Sequence, residues 1–155
     1  MAAAAAGIDL NRLLWIRGHV ASQPGLCRDM NLRAMEQAVR ALTLVLAAGN
    51  FGLVAFDAGE APADALRRLP FTTWLRLQRM VEGRQTICIL VGSEPMARSA
   101  AGLTVSLAVR GSDIGFRFRD HVFEGANVEV RVIRARSRLH EEAAVPLTTA
   151  VPEGA

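Results

Sequence analysis

Phe51-Gly52-Leu53-Val54-Ala55-Phe56-Asp57 is an apolar run closed by a carboxylate. A strand with one face in water alternates apolar and polar residues, whereas a run without alternation is buried on both faces, as in parallel sheets. These residues therefore predict a central parallel strand over 51–57 that ends at Asp57. Upstream, Leu32, Met35, Val39, Leu42 and Leu46 recur at three- and four-residue intervals, with Arg33, Glu36 and Arg40 mostly opposite. That period predicts an amphipathic helix starting at Asp29, with Asp29 or Asn31 as its cap, and stopping at Gly49. Downstream, residues 58–69 form a connection, and Pro70 opens a second helix through Trp74, Leu77 and Val81 to Gly83. Thr86-Ile87-Cys88-Ile89-Leu90-Val91 follows as another buried strand. On the N-terminal side, Arg12-Leu13-Leu14-Trp15-Ile16-Arg17 reads as a buried strand, separated from the first helix by a loop with Ser22, Pro24 and Gly25.

This β-α-β-α-β succession predicts a three-stranded parallel sheet from strands near 12–17, 51–57 and 86–91. Beyond Gly92 the pattern changes to alternation, which predicts antiparallel strands near 103–110, 114–119 and 127–138. Val128, Val130 and Val132 share one phase and Ile133, Ala135, Ser137 and Leu139 the other, so a β-bulge is expected near Val132. The expected fold is α/β in a single domain over 1–145, followed by a flexible tail over 146–155 that carries Pro146, Pro152 and Gly154.

The 155 residues are 51% hydrophobic and 21% charged, outside the composition of disordered chains. The longest uncharged stretch, Ala41 to Phe56, is broken by Gly49-Asn50 and too short to span a bilayer, and the Ala-rich start lacks a basic n-region and an apolar h-region. A cytoplasmic protein that does not enter the membrane is expected. Cys27 and Cys88 have no partner at zinc-ligand spacing, which makes both plain thiols, and His19, His121 and His140 are scattered as structural histidines are. All 18 basic residues are arginine. Without lysine the chain cannot contain G-x-x-x-x-G-K-[ST], whose lysine reaches the outer phosphates of a nucleotide, and lysine Schiff bases are excluded too. A G+C-rich genome also accounts for missing lysine.

Taken in order, the landmarks resemble the RecA recombinase core, and more closely the RecA-like ImuA accessory proteins of damage-induced mutagenesis. Residues 5–14, Ala-Ala-Gly-Ile-Asp-Leu-Asn-Arg-Leu-Leu, resemble the segment leading into the strand before Walker B, and Ala41 to Asp57 resembles the Walker B helix and strand. Arg76 to Gly92 is similar to the next helix and strand, and Gly125 to Leu139 to the late antiparallel strands. The resemblance implies a partial RecA-like P-loop NTPase core. Its P-loop unit and the strand ending in a catalytic glutamate would precede the segment with which this chain starts, leaving an open apolar side next to the strand at 86–91.

By the same resemblance Asp57 takes the Walker B position, which holds the water shell of Mg²⁺, and Ser93 takes the sensor position, where the recombinase has glutamine. Read from the residues alone, Asp57 equally ends a strand by bonding backbone amides of the Ala58-Gly59 turn. Glu60 and Glu94 lie near strand ends and read as surface carboxylates. By the resemblance, Arg134 and Arg136 match the family's two basic residues that reach a neighbouring subunit's nucleotide, and alternation puts Arg138 on the same face. A solvated edge protected by arginine is the other reading. From Arg98 to Arg138 eight arginines face Asp113, Asp120, Glu124 and Glu129, which suits a phosphate-facing patch. Phe116, Arg117, Phe118 and Arg119 fit a hairpin with core aromatics.

The expectation is a non-catalytic RecA-like accessory protein in DNA repair and translesion synthesis, with no cofactor of its own. Its contacts would be a protein, either an error-prone polymerase or RecA-like subunits, and single-stranded DNA. The alternative is an ATPase subunit of a RecA-like recombinase or ImuA-type protein whose P-loop is missing from the chain or supplied in trans, with ATP and Mg²⁺ as cofactors. A cell-division inhibitor of the SulA type is a third reading.

Overall fold

The computed structural model describes residues 4, 7–18, 28–59, 61–109, 116–119, 122–136 and 145–148. Cys27, His19, Glu60, His121, Arg138 and His140 lie outside the described residues. The chain divides into two compact units, Trp15–Ala101 on the one hand and Met1–Leu14 with Gly102–Ala155 on the other. Among the described residues no helix is long and apolar enough to cross a membrane.

In the 15–101 unit, helix α1 (Arg28–Ala48) buries Met35, Val39, Leu42 and Leu46 in the stripe that its period predicts. Neither Asp29 nor Asn31 is its cap. The helix begins at Arg28, and Asn31, one turn before Met35 on the same stripe, is buried. No buried side-chain polar atom among the described residues lacks a partner. Gly49, at φ 69°, ends the helix in the left-handed region that a Cβ disfavours. Arg84 donates to the Leu46 carbonyl at 3.4 Å, placing a cation at the negative end of the helix.

Strand β1 (Leu53–Asp57) pairs in parallel with β2 (Ile87–Val91), Leu53 opposite Ile87 and Asp57 opposite Val91. Within the expected connection 58–69 lies a short helix α2 (Ala63–Arg68), too short to show a 3.6-residue period, with Asp64 in its first turn and Arg67 and Arg68 in its last. Pro70 caps α3 (Phe71–Val81), which buries Trp74 and Leu77. These helices cover one face of the pair: Val54 and Phe56 are buried, and Cys88 and Leu90 pack against the same core as Leu46, Leu66 and Trp74.

The strand expected near 12–17 does not form, so the parallel sheet has two strands and not three. After a 3-10 turn at Leu10–Arg12, residues 13–18 run without ladder partners, and Trp15 is 69% exposed. An apolar run states what its side chains would gain by burial; a strand exists only when its N–H and C=O groups find a neighbouring backbone.

The other unit holds an antiparallel sheet in which β3 (Leu103–Val109), β4 (Phe116–Arg119) and β6 (Val145–Thr148) all pair with the long β5 (Val122–Ala135). Thr104 pairs with Arg134 and Val105 with Val132, which leaves Ile133 as the extra residue of a bulge, one position from the site expected. A second shift sets Arg117 opposite Gly125 and Phe118 opposite Phe123, with Glu124 extra. Residues 146–148, expected in the tail, belong to β6, where Pro146 lies opposite Glu129. An edge strand tolerates that proline because its missing N–H is not needed by a second neighbour.

Candidate functional site

Strand alternation decides what the parallel pair presents. With Val54, Phe56, Cys88 and Leu90 turned to the helices, Leu53, Ala55, Ile87, Ile89 and Val91 fall on the opposite face. Among the described residues that face is exposed: Leu53 is 59% and Ile87 63% exposed, and Ile89 and Val91 are exposed as well. Parallel strands occur almost always with both faces covered, and burying each of these larger side chains is worth about 1.5–3 kcal/mol. The sequence predicts an open side next to β2; among the described residues β2 has no second neighbouring strand, and one face of both strands is exposed as well. The helix stripes are core.

Asp57 ends this face at the carboxyl end of β1, and Ser93 follows Val91 by two residues, so the pairing brings both expected positions to the same end of the sheet. Asp57 Oδ1 accepts the Gly59 N–H at 2.9 Å, while the Ala58 N–H donates to the Val91 carbonyl at 2.8 Å. The carboxylate thus closes the Ala58-Gly59 turn, one of the two roles its sequence position allowed. Glu94 is gripped by Arg67 of α2 through a forked pair, with Nε donating to Oε2 at 3.0 Å and NH2 donating to Oε1. Among the described residues no three His, Cys, Asp or Glu side chains come together as a metal-binding group. Mg²⁺ in nucleotide sites is shared between one or two carboxylates and the phosphates. Here one exposed carboxylate accepts a backbone amide, and the chain contains no lysine.

The late strands place their arginines differently from simple alternation. The bulge at Ile133 lets Arg131 and Arg134, three positions apart, share the face that carries Thr104 and Ser106, since Ser106 opposes Arg131 and Thr104 opposes Arg134. Arg131, Arg134 and Arg136 are all exposed. Arg136 lies just past β5, where its N–H donates to the Gly102 carbonyl at 2.8 Å. The bulge expected near Val132 is the signal that could have added Arg131 to the Arg134 face, because without it strict alternation puts the two in opposite phases. The other face of β3 is apolar and open: Leu103, Val105 and Leu107 are exposed opposite Ala135, Val132 and Val130.

Comparison of the chain with protein-family models, with curated proteins and with solved structures finds no match. The described residues present two surfaces: an exposed apolar sheet face ending at Asp57, and an arginine-bearing face on the antiparallel sheet.

Proposed function

We propose that this chain is a non-catalytic RecA-like accessory protein of damage-induced DNA repair and translesion synthesis. It works by docking on a protein, an error-prone polymerase or RecA-like subunits, and by touching single-stranded DNA. The observation that carries the reading is the uncovered face of β1 and β2, where Leu53, Ile87, Ile89 and Val91 leave a parallel pair half-buried. Such a face is contact surface. The parallel β1/β2 register with Asp57 at its carboxyl end agrees with the order of landmarks that carries the resemblance. The absence of lysine supports a role without ATP turnover, which depends on positioning and neutralising the γ-phosphate.

The test is damage-induced mutation frequency in cells deleted for the gene and complemented with wild type or with Leu53→Asp/Ile89→Asp. Both substituted positions are exposed, so the variant should fold. Induced mutagenesis should fall on deletion, return with wild type and stay low with the variant. Unchanged mutagenesis on deletion overturns the reading; cell filamentation on overexpression, without a mutagenesis effect, would favour the division-inhibitor class instead.

A further inference from the structure

The segment after β2 and the corner between α2 and α3 enclose a cavity of about 300 Å³, at the lower end of the range for ligand pockets. Its lining includes Leu66, Leu69 and Trp74, all buried in the core, which give it an apolar floor. Its charged lining residues are Arg67, Arg68 and Arg98 against the single carboxylate of Glu94. Arg67 and Glu94 neutralise one another in their forked pair. Arg68 reaches only to 3.9 Å from Asp29, whose side chain is 89% exposed, and such a contact contributes little. Arg98 has no partner among the described residues. The lining thus carries a net positive charge beside an apolar floor, with Arg68 only weakly paired.

Arg98 carries a second signal. It has φ 47°, and among the described residues it alone of the non-glycines has a positive φ. That conformation is unfavourable for an L-residue, and residues held so tend to gather at functional sites.

We propose that this cavity binds a short acidic peptide segment of a partner protein with one bulky apolar side chain. The apolar group enters over Leu66, Leu69 and Trp74, and the flanking carboxylates pair with Arg68 and Arg98. The inference deepens the protein-contact reading above and rests on it, supplying the chemistry of the partner. Charge complementarity selects an acidic occupant. Nucleic acid fits less well, because Trp74, 3% exposed, offers no ring face on which a base could stack.

Fluorescence anisotropy with the full chain tests it, using a labelled peptide Asp-Glu-Leu-Phe-Glu-Asp and its Asn/Gln analogue. The acidic peptide should bind about tenfold more tightly than the analogue, and Arg98→Glu should weaken it about tenfold with an unchanged melting temperature. Arg98→Gly separates strain from binding: it removes the guanidinium but suits the positive φ, so affinity should fall while melting is no lower. Equal affinity for the two peptides, indifference to Arg98→Glu, or displacement by an oligo-dT strand but not by unlabelled acidic peptide overturns the proposal. If peptide binding fails while Leu53→Asp/Ile89→Asp still abolishes induced mutagenesis, only the cavity assignment falls. If the peptide binds as described and deletion leaves mutagenesis unchanged, only the repair reading falls.

Discussion

Asp57 shows how one side chain answers to its immediate backbone. Its Oδ1 holds the Gly59 N–H at an exposed turn, where a hydrogen bond is worth about 0.5–1.5 kcal/mol. Asp57→Ala should therefore lower stability by about that amount in urea unfolding, and Asp57→Asn, which keeps an acceptor oxygen, should recover most of it. Equal losses in the two variants would show that charge, and not the turn, is what matters there. Cys88 answers to burial. It packs on the covered face of β2, and desolvation pushes its thiol above the ordinary thiol range. Site-resolved mass spectrometry at pH 8 should find its alkylation slower than that of a cysteine in a short peptide, with the rate climbing as the pH passes above that range. The folded state holds this proton more tightly than the unfolded one, so the associated stability is present at neutral pH and declines as the thiol is forced to ionise. Alkylation as fast as the peptide's would contradict the buried placement.

At the scale of elements, α1 separates stripe from surface within two residues. Leu46 is fully buried against the core and Leu44 is 72% exposed, yet both are leucines in one helix with the same intrinsic propensity. Leu46→Ala should cost about 2–5 kcal/mol through lost burial and a cavity, whereas Leu44→Ala should stay within about 0.5 kcal/mol. Similar losses for the two would mean that the helix is turned differently on the sheet. The strands show the complementary effect. One extra residue at Ile133 moves Arg131 and Arg134 onto a common face, so a single bulge redistributes positive charge along β5 without any change in composition.

Over the whole molecule, an excess of arginine translates into a measurable salt dependence only if those arginines meet phosphates. The triple variant Arg134→Ala/Arg136→Ala/Arg138→Ala should weaken single-stranded DNA binding across sequences. It should also flatten the slope of log affinity against log salt by about 0.7 for every phosphate that is no longer neutralised. Arg134 and Arg136 are exposed, so melting should change little. Titration of both proteins at several salt concentrations decides between the roles: identical slopes would leave the arginines as guardians of a sheet edge and protein contact as the surviving function.

Much of the secondary structure was legible in residue order because its causes are local. The stripe Met35, Val39, Leu42, Leu46, the glycine that stops α1, the apolar runs of β1 and β2 and the phase slip at Ile133 each express side-chain period or backbone freedom within a few residues. Tertiary structure decided what depends on partners distant in sequence. Whether 12–17 becomes a strand rests on a backbone ladder that no property of its own side chains supplies, and it stays unpaired. Buried runs in β1 and β2 signalled apolar surroundings on both faces, but the sequence could not say that one face would be left bare, because covering a face requires an element to be placed over it. The pairing of Arg67 with Glu94, 27 residues away, and the arginines left beside the cavity follow from how α2 meets the segment after β2. Local sequence determines which conformations each segment favours; only packing in three dimensions determines which surfaces remain open to a partner.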